Sequence, residues 1–151
     1  MNIIFAAFLI ALDQITKYAV RIRLKPVYNI DIIPGWFSLT YVENRGAAFG
    51  ILKEKKIFLV GLTALVIIVM ILYIIKNKNL GMKYRMALLF IISGAIGNLI
   101  DRVAKSFVTD MFHFYVGNRF DFPVFNLADV YVVCGTIFLT LCLIFSKDIQ
   151  G

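Results

Sequence analysis

Residues 57–75 read IFLVGLTALVIIVMILYII, an apolar run without a charged side chain. Lys55 and Lys56 precede this run, and Lys76 follows it directly. A helix needs about 20 predominantly apolar residues to cross the hydrocarbon core of a bilayer, which is about 30 Å thick. Basic residues at the ends of such a run extend their charges into the headgroup region. We therefore predict a membrane-spanning helix over about residues 57–75.

Three other stretches have a similar length and composition, and we predict spans over about residues 2–20, 84–103 and 127–145. Of the 151 residues, 61% are hydrophobic and 17% are charged, whereas an average soluble domain is about 45–50% apolar. The first span lacks a basic leading region and a clean cleavage site, so we interpret it as a retained helix rather than a signal peptide. We expect one all-α integral membrane domain over residues 1–151, a four-transmembrane-helix bundle.

The two longer connections have the alternation that is typical of β-strands. In residues 21–56, apolar side chains alternate on both sides of the turn signal Pro34-Gly35. Residues 104–126 alternate similarly and contain a break at Phe122-Pro123. We predict that both connections lie on one membrane face and form a small β-sheet or cradle. A glycine-rich turn and a short loop helix are expected over about residues 44–53.

Two aromatic residues adjoin the predicted turn, and their positions allow two interpretations. Trp36 and Phe37 could lie in the headgroup region, as the amphipathic aromatic residues of membrane interfaces do. They could equally be the packed core of a hairpin. The sequence leaves both interpretations open.

The net charge of +7 does not indicate nucleic acid binding, because the basic residues lie between apolar runs. Contact with anionic lipid headgroups explains them more simply. An even number of spans places both termini on one side, together with the loop at about residues 76–83. Counting Lys and Arg does not settle which side this is. The longer loops carry more basic residues, but the short loop carries them more densely.

Several classes of chemistry are excluded by composition. The chain has one histidine, His113, and no Cys-x-x-Cys or His-x-x-x-His pair, so we predict no metal site. Cys134 and Cys142 would lie about 12 Å apart on one helix, too far for a disulfide. Phosphate-binding and nucleophile-elbow glycine motifs are absent. Any chemistry must come from Asp, Glu, Asn, Arg, Lys and the backbone.

Ionisable side chains inside the predicted spans are functional candidates, because each costs at least about 2.5–3.5 kcal/mol at mid-membrane. Asp13 and Lys17 stand four residues apart in the first span and share a helix face. Both side chains could form part of a polar functional site. An ion pair that only orients the helix, or a lysine that extends to the interface, is the alternative.

The end of the third span carries a second polar group. Asn98, Asp101 and Arg102 occupy neighbouring positions of one helix face. Gly94 and Gly97, one turn earlier, would let another helix approach closely. A structural polar latch formed by Asp101 and Arg102 is the alternative to a functional role.

Two further aspartates are predicted to lie at the same membrane surface. Asp110 follows the third span, and Asp129 begins the fourth span three residues after Asn126. Two carboxyl groups held close together cannot both ionise easily, so they share a proton. One can then act as a base toward water while the other donates a proton to a carbonyl oxygen. Spacing alone leaves a hydrolytic pair, a proton relay and a structural pair open.

Four motifs in this chain resemble, in the same order, those of lipoprotein signal peptidase, also called signal peptidase II. They are DQITK at 13–17, ENRGAAFG at 43–50, GNLIDR at 97–102 and FNLAD at 125–129. The resemblance covers most of the chain. One departure is Ser93, before Gly94, where many members have two glycines, and this concerns only local helix packing.

By this resemblance, Asp110 and Asp129 match the catalytic aspartate pair of a membrane aspartic peptidase. The resemblance also implies that other matched positions bind the substrate or support the site. These are Asp13, Lys17, Asn44, Gly46, Asn98, Asp101, Arg102 and Asn126.

The resemblance further implies an activity and a location. The family removes the signal peptide from bacterial prolipoproteins, cutting just before the cysteine that already carries diacylglycerol, without a metal or cofactor. The implied partners are the diacylglyceryl prolipoprotein, membrane lipid and peptide antibiotic inhibitors such as globomycin, and no nucleic acid. The implied state is a monomer in the bacterial cytoplasmic membrane, with both termini in the cytoplasm and the long loops outside.

Two hypotheses complete the prediction. Residues 46–50, GAAFG, would form a mobile lid over the site, since glycines and small residues favour such motion. The alternative to a peptidase is a non-enzymatic membrane subunit that conducts protons or ions. In it, Asp13, Asp101, Asp110 and Asp129 would form a relay.

Overall fold

The computed structural model describes residues 2–46, 55–117 and 119–145. The helices are α1 (Asn2–Arg23), α2 (Lys56–Lys76), α3 (Met82–Lys105) and α4 (Leu127–Ile144), and the strands are β1 (Asn29–Ile33), β2 (Phe37–Asn44), β3 (Val108–Val116) and β4 (Phe120–Asp121). By length and composition, all four helices can cross a membrane. The predicted set of four long apolar helices with a small sheet is confirmed. Most of the expected loop helix near residues 44–53 lies outside the described residues.

The strands form one antiparallel sheet in the order β1-β2-β3-β4. The β1–β2 hairpin turns at Pro34-Gly35, where Gly35 has a φ of +82° that glycine adopts without strain. β2 comes from the first long connection and β3 from the second, and they pair over most of their length, with Val42 opposite Asp110. The sheet therefore joins both connections at one end of the bundle, as the sequence predicted.

The two aromatic residues beside the turn have different surroundings. The ring centroid of Phe37 lies 4.7 Å from that of Phe114 on β3, so Phe37 packs within the sheet. Trp36 is 60% exposed at the tip of the hairpin. The packing interpretation holds for Phe37, while Trp36 is available to an interface.

Helix α3 is central and packs against α1, α2 and α4. Gly94 allows the close approach of α4, because a Cβ at this position would overlap the carbonyl oxygen of Ala128. Gly97 faces α1, and a Cβ there would lie 2.5 Å from Oδ2 of Asp13. Both glycines permit the close helix contacts that the sequence predicted. Ser93, the departure from the two-glycine pattern, is fully buried beside them.

The surface of the helices is unusually apolar. Among the described residues, α2 buries only Leu59 and Ile67, while most of its large apolar side chains are exposed. Beside its apolar core, the interior contains polar and charged side chains. These are Asp13, Lys17, Ser38, Ser93, Asn98, Asp101, Thr109, Asp110 and Asn126. An apolar surface suits a lipid environment, and buried charges within such helices direct attention to the interior.

Candidate active site

Asp110 lies on β3, at the end of the bundle that carries the sheet, and it is only 2% exposed. Both carboxyl oxygens accept hydrogen bonds from side-chain amides. Nδ2 of Asn126 donates to Oδ1 at 2.6 Å, and Nδ2 of Asn44 donates to Oδ2 at 3.0 Å. Asn44 ends β2, the strand that pairs with β3, so the sheet register delivers this contact.

Asp129 lies in the first turn of α4 and takes part in the start of that helix. Its backbone N–H donates to Oδ1 of Asn126 at 3.0 Å, and the backbone N–H of Asn126 donates back to its Oδ2 at 3.1 Å. This reciprocal arrangement is a capping box. The remaining oxygen, Oδ1, accepts from Nδ2 of Asn98 at 2.8 Å. Asp129 is less buried than Asp110.

Two asparagines connect the two aspartates. Nδ2 of Asn126, which holds Asp110, also lies 3.2 Å from Oδ1 of Asn98. Asn98 in turn holds Asp129. The structure therefore brings Asp110, Asp129, Asn44, Asn98 and Asn126 into one hydrogen-bonded group that joins β2, β3, α3 and α4.

A buried ionic cluster lies directly behind this group. Nζ of Lys17 is 2.9 Å from Oδ2 of Asp13 and 2.9 Å from Oδ1 of Asn98, and it is 3.6 Å from Oδ2 of Asp101. Oδ1 of Asp13 accepts from the backbone N–H of Ala128 at 3.0 Å. The predicted pair of Asp13 and Lys17 is present, and it extends beyond its own helix to α3 and to the first turn of α4.

Asp101 holds β3 against α3. The backbone N–H of Thr109, the residue before Asp110, donates to its Oδ2 at 3.0 Å. Lys105 bonds its Oδ1, and Nη1 of Arg21 lies 3.9 Å from the same atom. The structural interpretation of Asp101 as an anchor therefore has contacts to support it, and the anchor acts on the strand that carries Asp110.

Arg102 does not share the partners of Asn98 and Asp101. Its Nη2 donates to the backbone carbonyl of Gly46 at 3.0 Å. The backbone N–H of Gly46 donates to Oδ1 of Asn44 at 3.0 Å, which leaves Nδ2 of Asn44 facing Asp110. Arg102 thus holds the residue that orients Asn44. Residues 47–50 of the predicted lid lie outside the described residues.

Sequence reasoning did not single out Glu43, which forms a second cluster beside Asn44. Nζ of Lys25 lies 3.1 Å from its Oε1, and the hydroxyl of Tyr41 donates to the same oxygen at 2.9 Å. The hydrogen bonds from Tyr41 and Lys25 hold the pKa of Glu43 below its usual value. Glu43 ties the chain after α1 to the end of β2. Its place at the start of the ENRGAAFG motif was the available signal.

The surroundings of Asp110 favour its neutral form. Burial raises the pKa of this carboxyl, the nearby charge of Asp129 raises it further, and the bonds from Asn126 and Asn44 oppose the rise, leaving the pKa at about 7. A carboxyl group that holds a proton near neutral pH, beside a second carboxyl group, can donate a hydrogen bond while its neighbour accepts a proton. Within residues 2–46, 55–117 and 119–145, no group of three or more His, Cys, Asp or Glu side chains could hold a metal ion.

The chain is similar to known proteins over nearly its whole length. The family described as signal peptidase (SPase) II matches residues 5–145. A lipoprotein signal peptidase of Clostridium tetani is 44% identical over 95% of this chain and 92% of its own length. One from Clostridioides difficile is 45% identical over 98% of this chain and 97% of its own length. A solved structure described as a bacterial membrane enzyme has a TM-score of 0.88 at 30% identity, and it covers 99% of this chain and 91% of its own.

Proposed function

This chain belongs to the signal peptidase II family, and we propose that it is an aspartic endopeptidase that removes signal peptides from diacylglyceryl-modified prolipoproteins. In this proposal, it cleaves just before the lipidated cysteine. The observation that best supports this activity is the hydrogen-bonded group around Asp110 and Asp129. In this group, each carboxyl oxygen of the two aspartates accepts a hydrogen bond. Such an arrangement presents two oriented carboxyl groups to one scissile bond.

The unequal surroundings of the two aspartates support a division of roles. Asp110 is the more buried and has a pKa of about 7, so it holds the proton before reaction. Asp129 lies in the first turn of α4, is less buried than Asp110, and has oxygens that accept only from the side-chain amide of Asn98 and the backbone N–H of Asn126 among the described residues. Asp129 is therefore assigned as the base and Asp110 as the acid.

The reaction follows from these roles. Asp129 takes a proton from water as the water oxygen attacks the scissile carbonyl carbon, and Asp110 gives its proton to the carbonyl oxygen. The product of this step is a neutral tetrahedral diol, with Asp129 protonated and Asp110 ionised. The carbon–nitrogen bond then breaks. Asp129 gives its proton to the departing amine and Asp110 recovers one from the diol, which yields a carboxylic acid and restores both groups.

The position of the site suits a substrate that is itself in the membrane. Asp110 follows α3 and Asp129 begins α4, so both lie at one end of the bundle beside the sheet. A signal peptide with a diacylglyceryl group reaches this end laterally from the lipid, while water arrives from the sheet side. In this proposal, the sheet and the site lie outside the cytoplasm, both termini lie inside it, and the enzyme works as a monomer. Peptide antibiotics such as globomycin would compete for the same site.

The proposal is tested by replacing each aspartate in the reconstituted enzyme. We expect Asp110→Asn and Asp129→Asn each to lower cleavage of a diacylglyceryl prolipoprotein by about a hundredfold to ten-thousandfold, the usual contribution of general acid–base catalysis. Substrate binding should remain. Asp121→Asn is the matched control, because Asp121 is an exposed β4 carboxyl group whose partner is His113. Normal cleavage by either dyad variant would overturn the assignment. Proton flux without cleavage would favour a relay, which family membership does not favour.

A further inference from the structure

We infer that Lys17 is a positioning residue, which sets the orientation of the Asn98 side-chain amide and thereby fixes the hydrogen bond that Asp129 receives. This inference rests on the proposed function, since it assigns a role toward Asp129. Lys17 and Asn98 are 81 positions apart in the sequence, and their contact joins α1 to α3. Among the described residues, Lys17 has no hydrogen bond or ion pair with Asp110 or Asp129. Apart from the longer-range attraction of its charge for the Asp110 carboxylate, its effect on the two aspartates therefore passes through another residue.

The amide of Asn98 can point in two ways that occupy almost the same space. One end is an acceptor and the other a donor, so only its neighbours decide the orientation. Nζ of Lys17, which can only donate, lies 2.9 Å from Oδ1 of Asn98, and Nδ2 of Asn126 lies 3.2 Å from the same oxygen. With the oxygen on this side, Nδ2 of Asn98 faces Oδ1 of Asp129 at 2.8 Å. The reversed amide would put donors against donors and an acceptor against the Asp129 carboxyl group.

The second asparagine has an orientation of its own that does not depend on Lys17. Oδ1 of Asn126 accepts from the backbone N–H of Asp129 at 3.0 Å, so its Nδ2 must face Asp110 and Asn98. The start of α4 therefore orients Asn126, while Asn98 is oriented by Lys17 at 2.9 Å together with the longer contact from Asn126 at 3.2 Å. These constraints ensure that both aspartates receive N–H donors.

Lys17 is held firmly enough to do this. Its side chain is fully buried. Nζ lies within hydrogen-bond distance of Asp13 and Asn98, at 2.9 Å from each, and forms a longer ion pair with Asp101 at 3.6 Å. An ammonium group in an apolar protein interior is costly unless paired. The two aspartates compensate its charge, and the remaining contact is with the neutral amide of Asn98. An ion pair that only stabilised the bundle would not need this contact with Asn98.

A double-mutant cycle tests the inference. Lys17→Met keeps the approximate length and removes the donors, and Asn98→Ala removes the amide. We expect each to lower kcat by about tenfold to a hundredfold, as loss of a residue behind a reacting group usually does, with KM within about threefold. If Lys17 acts through Asn98, adding Lys17→Met to Asn98→Ala should change kcat by less than about threefold. Lys17→Met and Asn98→Ala should also shift the pH dependence of kcat on the same side of its optimum.

Lys105→Met is the matched control, because Lys105 also pairs with Asp101 but has no contact with Asn98 among the described residues. Its kcat should stay within about twofold. If Lys17→Met fails to fold, the cycle is run with Asp13→Asn added, which leaves no unpaired carboxylate at Asp13 and keeps an acceptor for Ala128. Full additivity of the two losses would overturn the inference. That result is distinguishable from failure of the proposed function, in which Asp129→Asn itself would still cleave.

Discussion

Asn126 donates its side-chain amide to Asp110 at 2.6 Å, and its backbone N–H holds Asp129 at 3.1 Å. One residue thus contacts both members of the proposed dyad. The backbone contact is half of the capping box that starts α4. The same bonds that begin the helix therefore fix the relative placement of the two carboxyl groups, and the start of α4 cannot shift without moving the site.

The two roles of Asn126 can be separated by substitution. Asn126→Ser keeps a side-chain acceptor for the helix cap but is too short to reach Asp110, so we expect a large loss of kcat with little change in stability. Asn126→Ala loses the cap as well, which typically costs about 0.5–2 kcal/mol. Its melting temperature should fall below that of the serine variant. Cleavage kinetics and thermal melts in detergent measure both effects, and equal melting temperatures would contradict the assignment of the cap.

The raised pKa of Asp110 predicts how activity depends on pH. The carboxyl has a pKa of about 7 instead of its ordinary 3.8, so it is protonated below about pH 7 and ionised above it. If its proton is needed for the carbonyl oxygen, kcat/KM should fall about tenfold per pH unit well above this value. The control variant Asp121→Asn should show the same fall of kcat/KM at high pH. A constant kcat/KM from pH 6 to pH 9 would show that Asp110 is not the acid.

The same pKa has a consequence for stability. Because the folded protein binds this proton more tightly than the unfolded chain does, the stability that Asp110 contributes is present at low pH and is lost as the pH rises through about 7. Asp110→Asn cannot lose a proton. Its melting temperature should exceed that of the unaltered protein at pH 8, and the difference should shrink toward pH 5.

The fold was predictable where the signal is local. The charge-free run at 57–75 predicted α2, and Pro34-Gly35 predicted the β1–β2 turn. The spacing of Asp13 and Lys17 predicted their ion pair, which needs only the pitch of one helix. Helix α1 continues to Arg23, past the predicted end near residue 20, because basic residues at an interface need not end a helix.

The sequence supplied candidate residues for the site but not the connections between them. The contact of Asn44 with Asp110 depends on the register of β2 against β3, and the contact of Lys17 with Asn98 depends on how α1 crosses α3. Neither register nor crossing is encoded by spacing within a single element. Glu43 was missed for the same reason, since its partner Lys25 is brought to it only by the folded chain.

Gly97 offers a test of how tightly α1, α3 and the site are coupled. A Cβ at this position would lie 2.5 Å from Oδ2 of Asp13 and 3.3 Å from Cβ of Ala128. Gly97→Ala must therefore move Asp13 away from Lys17 or from the backbone N–H at the start of α4. Overpacking of this kind typically costs about 1–3 kcal/mol, and we expect both the melting temperature and the cleavage rate to fall. Gly61→Ala on α2 is the control and should leave both nearly unchanged, because no atom of the described residues outside the adjoining helix backbone lies within 4 Å of the added carbon. If Gly97→Ala matched this control, Asp13 would have room to move without cost, and its buried position would not be coupled to the site.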